Sequence, residues 1–294
     1  MRLSLLGLLA LFASASMSQA DPLAVVADVP AVHSLVSAVT GDLGRPDLLI
    51  SGVADPHDLQ LRPSQARTLS NADIVIWVGA ALTPWLDRSV SSLAPDAKSV
   101  PLLKGHQINE QNGEMGTVED RDVDPHDWLD PVVAMKWIDV IADALSDADP
   151  HNASAYAKNA ADAKQRIGQL QLKLTMQIGA ANVNPIIVTH DAFSHFAARF
   201  EVTIAGAISD IDGQAPSAAD LKSLRDKVQN GGITCAFYQP NESPALLQTV
   251  LSGSSVRIGI LDPVGVDLPL GPDLYFALLE NLTKSLLDCN QGTD

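Results

Sequence analysis

Short apolar runs alternate along the chain with longer stretches of helical character. Residues 23–28 (LAVVAD), 48–50 and 74–78 (IVIWV) read as strands. The last has no apolar–polar alternation, the pattern of a strand buried on both faces of a parallel sheet. Residues 30–40, 63–71 and 84–93 read as helices; the first carries Pro30 in its first turn, where no N–H is needed, and is stopped by Gly41. Strand–helix repetition of this kind predicts a mainly parallel sheet with right-handed crossovers.

The pattern collapses over residues 104–124 (KGHQINEQNGEMGTVEDRDVD), which are polar, acidic and Gly-containing. A segment of that length without apolar periodicity predicts a mobile, solvated loop. Regular structure resumes at 131–145. Residues 152–178 are rich in Ala, Lys and Gln, with Gly168 the single interior glycine before the helix end. Read as one helix this stretch is roughly 40 Å long at about 1.5 Å per residue. The strand–helix rhythm then restarts: strands at 186–189, 202–208, 235–239 and 256–260, helices at 192–200, 217–229, 244–251 and 274–287. The expected fold class is α/β, with two lobes of mainly parallel sheet joined by one long rigid helix. The N-terminal lobe takes 21–150, the connecting helix 151–182 and the C-terminal lobe 183–294.

Residues 1–20 fall outside this pattern. Arg2, a mostly apolar run from Leu3 to Ala13 and the small-x-small Ser18-Gln19-Ala20 have the layout of a cleaved signal peptide. The apolar run is too short to span a bilayer, and no later run is long enough. An exported, soluble protein of the periplasm is expected. Asp and Glu number 35 against 19 Lys and Arg, a net charge of −16. That balance argues against nucleic acid, whose phosphates need cationic neutralisation, and suits a cationic ligand. Cys235 and Cys289 are the two cysteines. In an oxidising compartment they are expected to pair, the alternative being two independent buried thiols.

Histidine carries the candidate chemistry. His57, His126 and His190 are each followed by Asp, and the first two lie in the same tetrapeptide, Asp-Pro-His-Asp, at 55–58 and 124–127. Pro56 and Pro125 stiffen both loops. His190 and Asp262 sit at strand ends, where α/β sheets present ligand-binding groups. Three imidazoles and a carboxylate form a zinc-type ligand set. Intervals of 69, 64 and 72 residues carry no pattern specificity, and four ordinary loop residues remain the alternative.

The local motifs are more specific. Asp124-Pro125-His126-Asp127-Trp128-Leu129-Asp130-Pro131 resembles the DPHxWLDP motif of the zinc/manganese solute-binding proteins of bacterial metal ABC importers. Pro56-His57 followed by Arg62-Pro63-Ser64 is similar to that family's PHxxxPxPS segment, His190 to Phe196 to its HxAFxYF, and Leu261-Asp262-Pro263-Val264-Gly265 to its LDPxG. Order, spacing and leader agree across the whole chain. The resemblance implies two α/β lobes, a rigid connecting helix and one metal between the lobes, held by His57, His126, His190 and Asp262. It also implies a zinc-type member, because manganese-type members carry Glu in the third place, and borderline imidazole suits zinc where carboxylate suits manganese. The implied function is capture of Zn²⁺, a transported ligand at one tight site, in the periplasm and delivery to the transmembrane permease by a monomer. A periplasmic metallochaperone is a candidate partner for the acidic loop.

Two departures stand out. The loop at 104–124 has only His106, where many zinc members have a His-rich loop, and His195 replaces the family's usual Tyr. Five residues beyond His190, His195 is expected to point about 140° away around its helix and not to share the site. His33 is expected to be packed or at the cleft edge, and His151 to be at the surface. The Asp residues after each histidine are candidates to orient imidazoles or cap helices, and Trp128 and Phe193 to wall the site. The competing functions are a manganese-type solute-binding protein, an exported zinc hydrolase and a metal-dependent adhesin. The hydrolase lacks an HExxH motif, and a fourth protein ligand would close the position that catalytic zinc keeps open for water.

Overall fold

The computed structural model describes residues 22–52, 54–103, 123–211, 214 and 216–292. The expected signal peptide at 1–20 and nearly all of the expected mobile acidic loop lie outside the described residues.

The first lobe runs β1 (Val25–Ala27), α1 (Pro30–Thr40), β2 (Asp47–Leu48), α2 (Pro63–Ser70), β3 (Ile74–Trp77), α3 (Pro84–Leu93) and β4 (Lys98–Pro101). Its four strands are parallel, in the order β2-β1-β3-β4. β1 and β3 are buried throughout, as their unbroken apolar runs require. β4 escaped the sequence pattern because it is an edge strand in which Val100 alone is fully buried. α1 is buried at every residue but Ala38, since the sheet covers one side and other helices the rest.

Two helices follow, α4 (Pro131–Ala148) and α5 (Ala153–Ala181). Asp130 caps α4 by accepting from the Val132 amide at 2.8 Å. α5 buries Tyr156, Ala160, Ala163, Ile167, Leu170, Leu174 and Ile178, an i, i+3/i+4 stripe laid along α4 and α1. It is 29 residues long, about 44 Å. Gly168 sits inside this helix, and a Cβ there meets no atom within 4 Å. Gly168→Ala is therefore expected to stabilise the protein by about 0.5–1 kcal/mol, read as a raised denaturation midpoint in urea.

The second lobe repeats the design with β5 (Ile186–His190), α6 (Ser194–Phe200), β6 (Ile204–Ser209), α7 (Ala218–Gln229), β7 (Cys235–Tyr238), α8 (Ala245–Val250), β8 (Arg257–Ile260) and α9 (Leu274–Gln291). Its strands are parallel in the order β6-β5-β7-β8. α9 returns to the first lobe, where the Tyr275 amide donates to Ser34 Oγ at 3.0 Å. One apolar core runs from the first sheet through α1, α4, α5 and α9 to β5 and β7, and a smaller one fills the other face of the second sheet. A shared core resists hinge motion, so the spacing between the lobes is set by packing. Cys235 at the start of β7 is disulfide-bonded to Cys289 in α9, as expected. Among the described residues no helix is long and apolar enough to cross a membrane.

Candidate metal centre

The repeated Asp-Pro-His-Asp has a structural reason. In both copies the first aspartate accepts the amide of the histidine two residues on: Asp55 Oδ1 from His57 at 2.9 Å, and Asp124 Oδ1 from His126 at 3.0 Å. This is an Asx turn with a proline fixing its middle. Each turn aims one imidazole from the first lobe into the cleft. The third imidazole comes from the other side, on His190, the last residue of the central strand β5.

These three histidines form a group whose ligand atoms all lie within 4.8 Å of one another. Ring centroids are 5.7 Å apart for His57 and His126, 5.8 Å for His57 and His190, and 5.2 Å for His126 and His190. The rings meet at steep angles, as three donors converging on one point must. His126 and His190 are buried and His57 is partly so.

Burial sets the protonation of the site. It pushes His126 below the ordinary imidazole value of 6.5, outweighing the Asp124 hydrogen bond and charge that act the other way. Burial and then the His126 charge do the same to His190, against Glu242 and Asp55. Both rings are thus neutral near neutral pH, the state that binds a metal. Burial acts to raise the Asp124 carboxyl, but its hydrogen bond to His126 and the charges of His126 and His195 hold it below 3.8. Asp124 Oδ1 lies 2.7 Å from His126 Nδ1, the carboxylate–histidine arrangement that directs the other ring nitrogen at a metal.

The imidazoles open into a cavity of about 250 Å³. Asp55 and Glu242 add carboxylates to its lining, and Trp128, Gln239, Val264 and Val266 wall it. Glu242 Oε2 accepts from the Gln239 amide at 3.1 Å and from the Thr189 hydroxyl, beside His190. Trp128 is fully buried, and its indole N–H donates across the lobes to the Pro263 carbonyl at 2.8 Å.

Asp262 stands outside the histidine group. Its Oδ1 accepts the amides of Val264 and Gly265 at 3.0 and 2.8 Å, and its Oδ2 that of Val266 at 2.7 Å. It therefore holds the turn that supplies two walls of the cavity. Phe193 packs with Ile186, Phe196 and Leu261 in the second lobe and does not wall the cavity, contrary to the sequence expectation. Of the aspartates after the histidines, Asp127 meets His195 at 2.7 Å, and Asp191 accepts from the hydroxyl of Ser194, the first residue of α6, at 2.9 Å. The partner of His126 is the aspartate before it, a role the repeat at 55 and 124 could have signalled. His195 is not in the histidine group, as expected, yet it touches the loop that carries His126. His33 is packed, with Nε2 3.0 Å from the Pro46 carbonyl, and His151 is exposed.

Comparison with known proteins points to one family. Residues 25–289 match the family described as "Zinc-uptake complex component A periplasmic". The chain is 36% identical over 311 residues to the high-affinity zinc uptake system protein ZnuA of Paracoccus denitrificans (strain Pd 1222), covering 95% of each protein. It is 31% identical over 303 residues to the protein of the same name from Brucella abortus (strain 2308), covering 90% of this chain and 91% of that one. The fold is that of a zinc-bound ZnuA 138–173 deletion mutant, with a TM-score of 0.79 at 23% identity over 92% of this chain and 98% of that one. Two parallel-sheet lobes, a connecting helix, three converging imidazoles and these relatives lead to one conclusion: the chain belongs to the periplasmic zinc-uptake component A family.

Proposed function

We propose that this chain captures Zn²⁺ in the periplasm and delivers it to the permease of an ABC importer, with His57, His126 and His190 as the ligands that carry the affinity. The convergence of the three imidazoles, their ligand atoms within 4.8 Å of one another, is the observation that supports this reading. Family membership makes the chain a solute-binding transport component and not an enzyme. Two neutral buried imidazoles and a partly buried one offer zinc its preferred nitrogen donors. Asp55 and Glu242 give the cavity a negative lining that draws a cation in.

Asp262 is the fourth ligand by the family resemblance. In this reading it serves the site by bracing residues 264–266, whose amides its two oxygens accept. Chelator-competition titration separates the two roles. Asp262→Asn is expected to lose much less zinc affinity than His126→Ala, and an equal loss would make Asp262 a ligand. The chain acts as a monomer, and the acidic residues 104–124 draw the cation or a metallochaperone through their charge without adding to the tight site.

Metal choice follows from His190. His190→Glu replaces a borderline donor with a hard one and is expected to narrow the preference for Zn²⁺ over Mn²⁺ by about tenfold, near 1.4 kcal/mol. Matched titrations with the two metals measure this, and a wild-type protein that bound both equally would refute the zinc assignment.

Acidity is the second control. Burial holds the folded pKa values of His126 and His190 below 6.5, so protons compete with zinc for these two rings on acidification below the ordinary imidazole range. Affinity is expected to stay flat above about pH 7 and to fall on acidification below the ordinary imidazole range. The zinc-free fold follows the same sign: the unfolded chain binds these protons more readily, so stability present above 6.5 is lost as pH falls. Titration and thermal unfolding across a pH series test both statements.

A further inference from the structure

We propose that His195 is a positioning residue of the zinc site, holding from the second lobe the carboxylate that orients His126. The inference rests on the zinc-capture reading and extends it to a residue outside the ligand group. α6 presents His195 and Arg199, four residues apart and so on one face, to residues 124–130 of the first lobe. Arg199 grips Asp130 with two hydrogen bonds, Nε to Oδ1 at 2.8 Å and Nη2 to Oδ2 at 2.7 Å. His195 Nε2 reaches Asp127 Oδ1 at 2.7 Å, the Asp124 carbonyl at 3.3 Å and Asp124 Oδ2 at 3.5 Å. The other oxygen of Asp124 binds His126 Nδ1 at 2.7 Å.

The sequence of contacts is therefore Asp127, His195, Asp124, His126, with His195 the one member contributed by the other lobe. Two carboxylates face one ring nitrogen of His195: Asp127 at 2.7 Å, and the buried Asp124 Oδ2 at an ion-pair distance of 3.5 Å with no hydrogen bond of its own, while Asp124 Oδ1 accepts from His126 Nδ1. Without a cation at His195 the charges of Asp124 and Asp127 repel each other. Asp124 is then free to turn toward solvent, and His126 loses the bond that selects its tautomer. The charge is in place at neutral pH: burial acts to lower His195, but the Asp127 hydrogen bond and the charges of Asp127 and Asp124 raise it to about 9. A tyrosine, the residue the resemblance leads one to expect here, has a neutral hydroxyl and could not balance two carboxylates.

The test uses the full exported chain and four variants: His195→Ala, His195→Gln, Arg199→Ala as structural comparator, and Asp127→Asn. Zinc affinity is measured by chelator competition, site geometry by the visible absorption of the Co²⁺-loaded protein, and fold integrity by thermal unfolding without metal. His195→Ala is expected to weaken zinc binding by about 10–100-fold, the usual cost of losing an outer-shell partner, and to alter the cobalt spectrum. His195→Gln, whose amide donates to Asp127 but carries no charge, is expected to recover little of the affinity. Asp127→Asn, which leaves His195 in place but removes one of the two charges facing it, is expected to lose less affinity than His195→Ala and serves if His195→Ala does not fold. Unchanged affinity and spectrum in His195→Ala would overturn the proposal. So would a loss no larger than that of Arg199→Ala at equal thermal stability, or one that the neutral glutamine recovers in full. Zinc binding that survived His126→Ala would instead overturn the zinc site itself.

Discussion

His126→Ala is expected to weaken zinc binding by about 10²–10⁴-fold. A zinc site of nitrogen and sulfur ligands is worth about 10–16 kcal/mol, so one of three or four ligands accounts for roughly 2.5–5 kcal/mol, and each 1.4 kcal/mol is tenfold. The loss is not recoverable by a neighbour, because His126 is buried and fixed at both its amide and its Nδ1 by Asp124. The substitution also strips Asp124 of its closest partner, leaving a largely buried carboxylate with His195 as its remaining counter-charge. Competition titration against a chelator of known affinity reads the first effect. Wild-type affinity in this variant would remove His126 from the ligand set.

Cutting the Cys235–Cys289 bond acts on stability alone. The paired cysteines are 54 residues apart, and tying them restricts the unfolded chain, a contribution of about 2–4 kcal/mol. The double variant Cys235→Ser/Cys289→Ser is expected to unfold roughly 5 °C lower than the wild type. Neither residue lines the metal cavity, so zinc affinity should hold within about twofold when scaled to the 1.4 kcal/mol of a tenfold change. A thermal midpoint equal to that of the wild type would show that the crosslink contributes nothing to the fold. A large fall in zinc affinity would show that α9 and β7 shape the cleft directly.

Much of the architecture was legible because local and tertiary demands agree. α1 could be read to the residue, since Pro30 opens it, Gly41 at φ 54° ends it, and almost every side chain between is buried. β3 could be read from IVIWV because both its faces are covered. β4 could not: Lys98 and Ser99 are exposed, Pro101 ends the strand, and its pairing to β3 is a tertiary fact with no local signature. The long helix α5 was placed within a few residues, its apolar stripe surviving Gly168.

The site divides along the same line. His57, His126 and His190 could be selected from a repeated tetrapeptide and a strand end, and the structure brings these three together. What the chain alone withheld was everything that depends on which loop faces which. Asp262 has the right strand-end address, yet its oxygens turn back onto amides 264–266. Helical geometry correctly kept His195 out of the ligand group, but angle around one helix says nothing of the loop packed against it. Glu242, in a loop after β7 with no motif of its own, enters the cavity only because β5 and β7 are neighbours.

The central claim is that one Zn²⁺ is held between the lobes by the three imidazoles. Anomalous diffraction at the zinc edge from crystals of the zinc-loaded protein tests it most directly. The account predicts a single strong peak in the cleft, about 2.0–2.1 Å from one nitrogen each of His57, His126 and His190. A peak lacking any one of these three nitrogens, or lying on other residues, would contradict it.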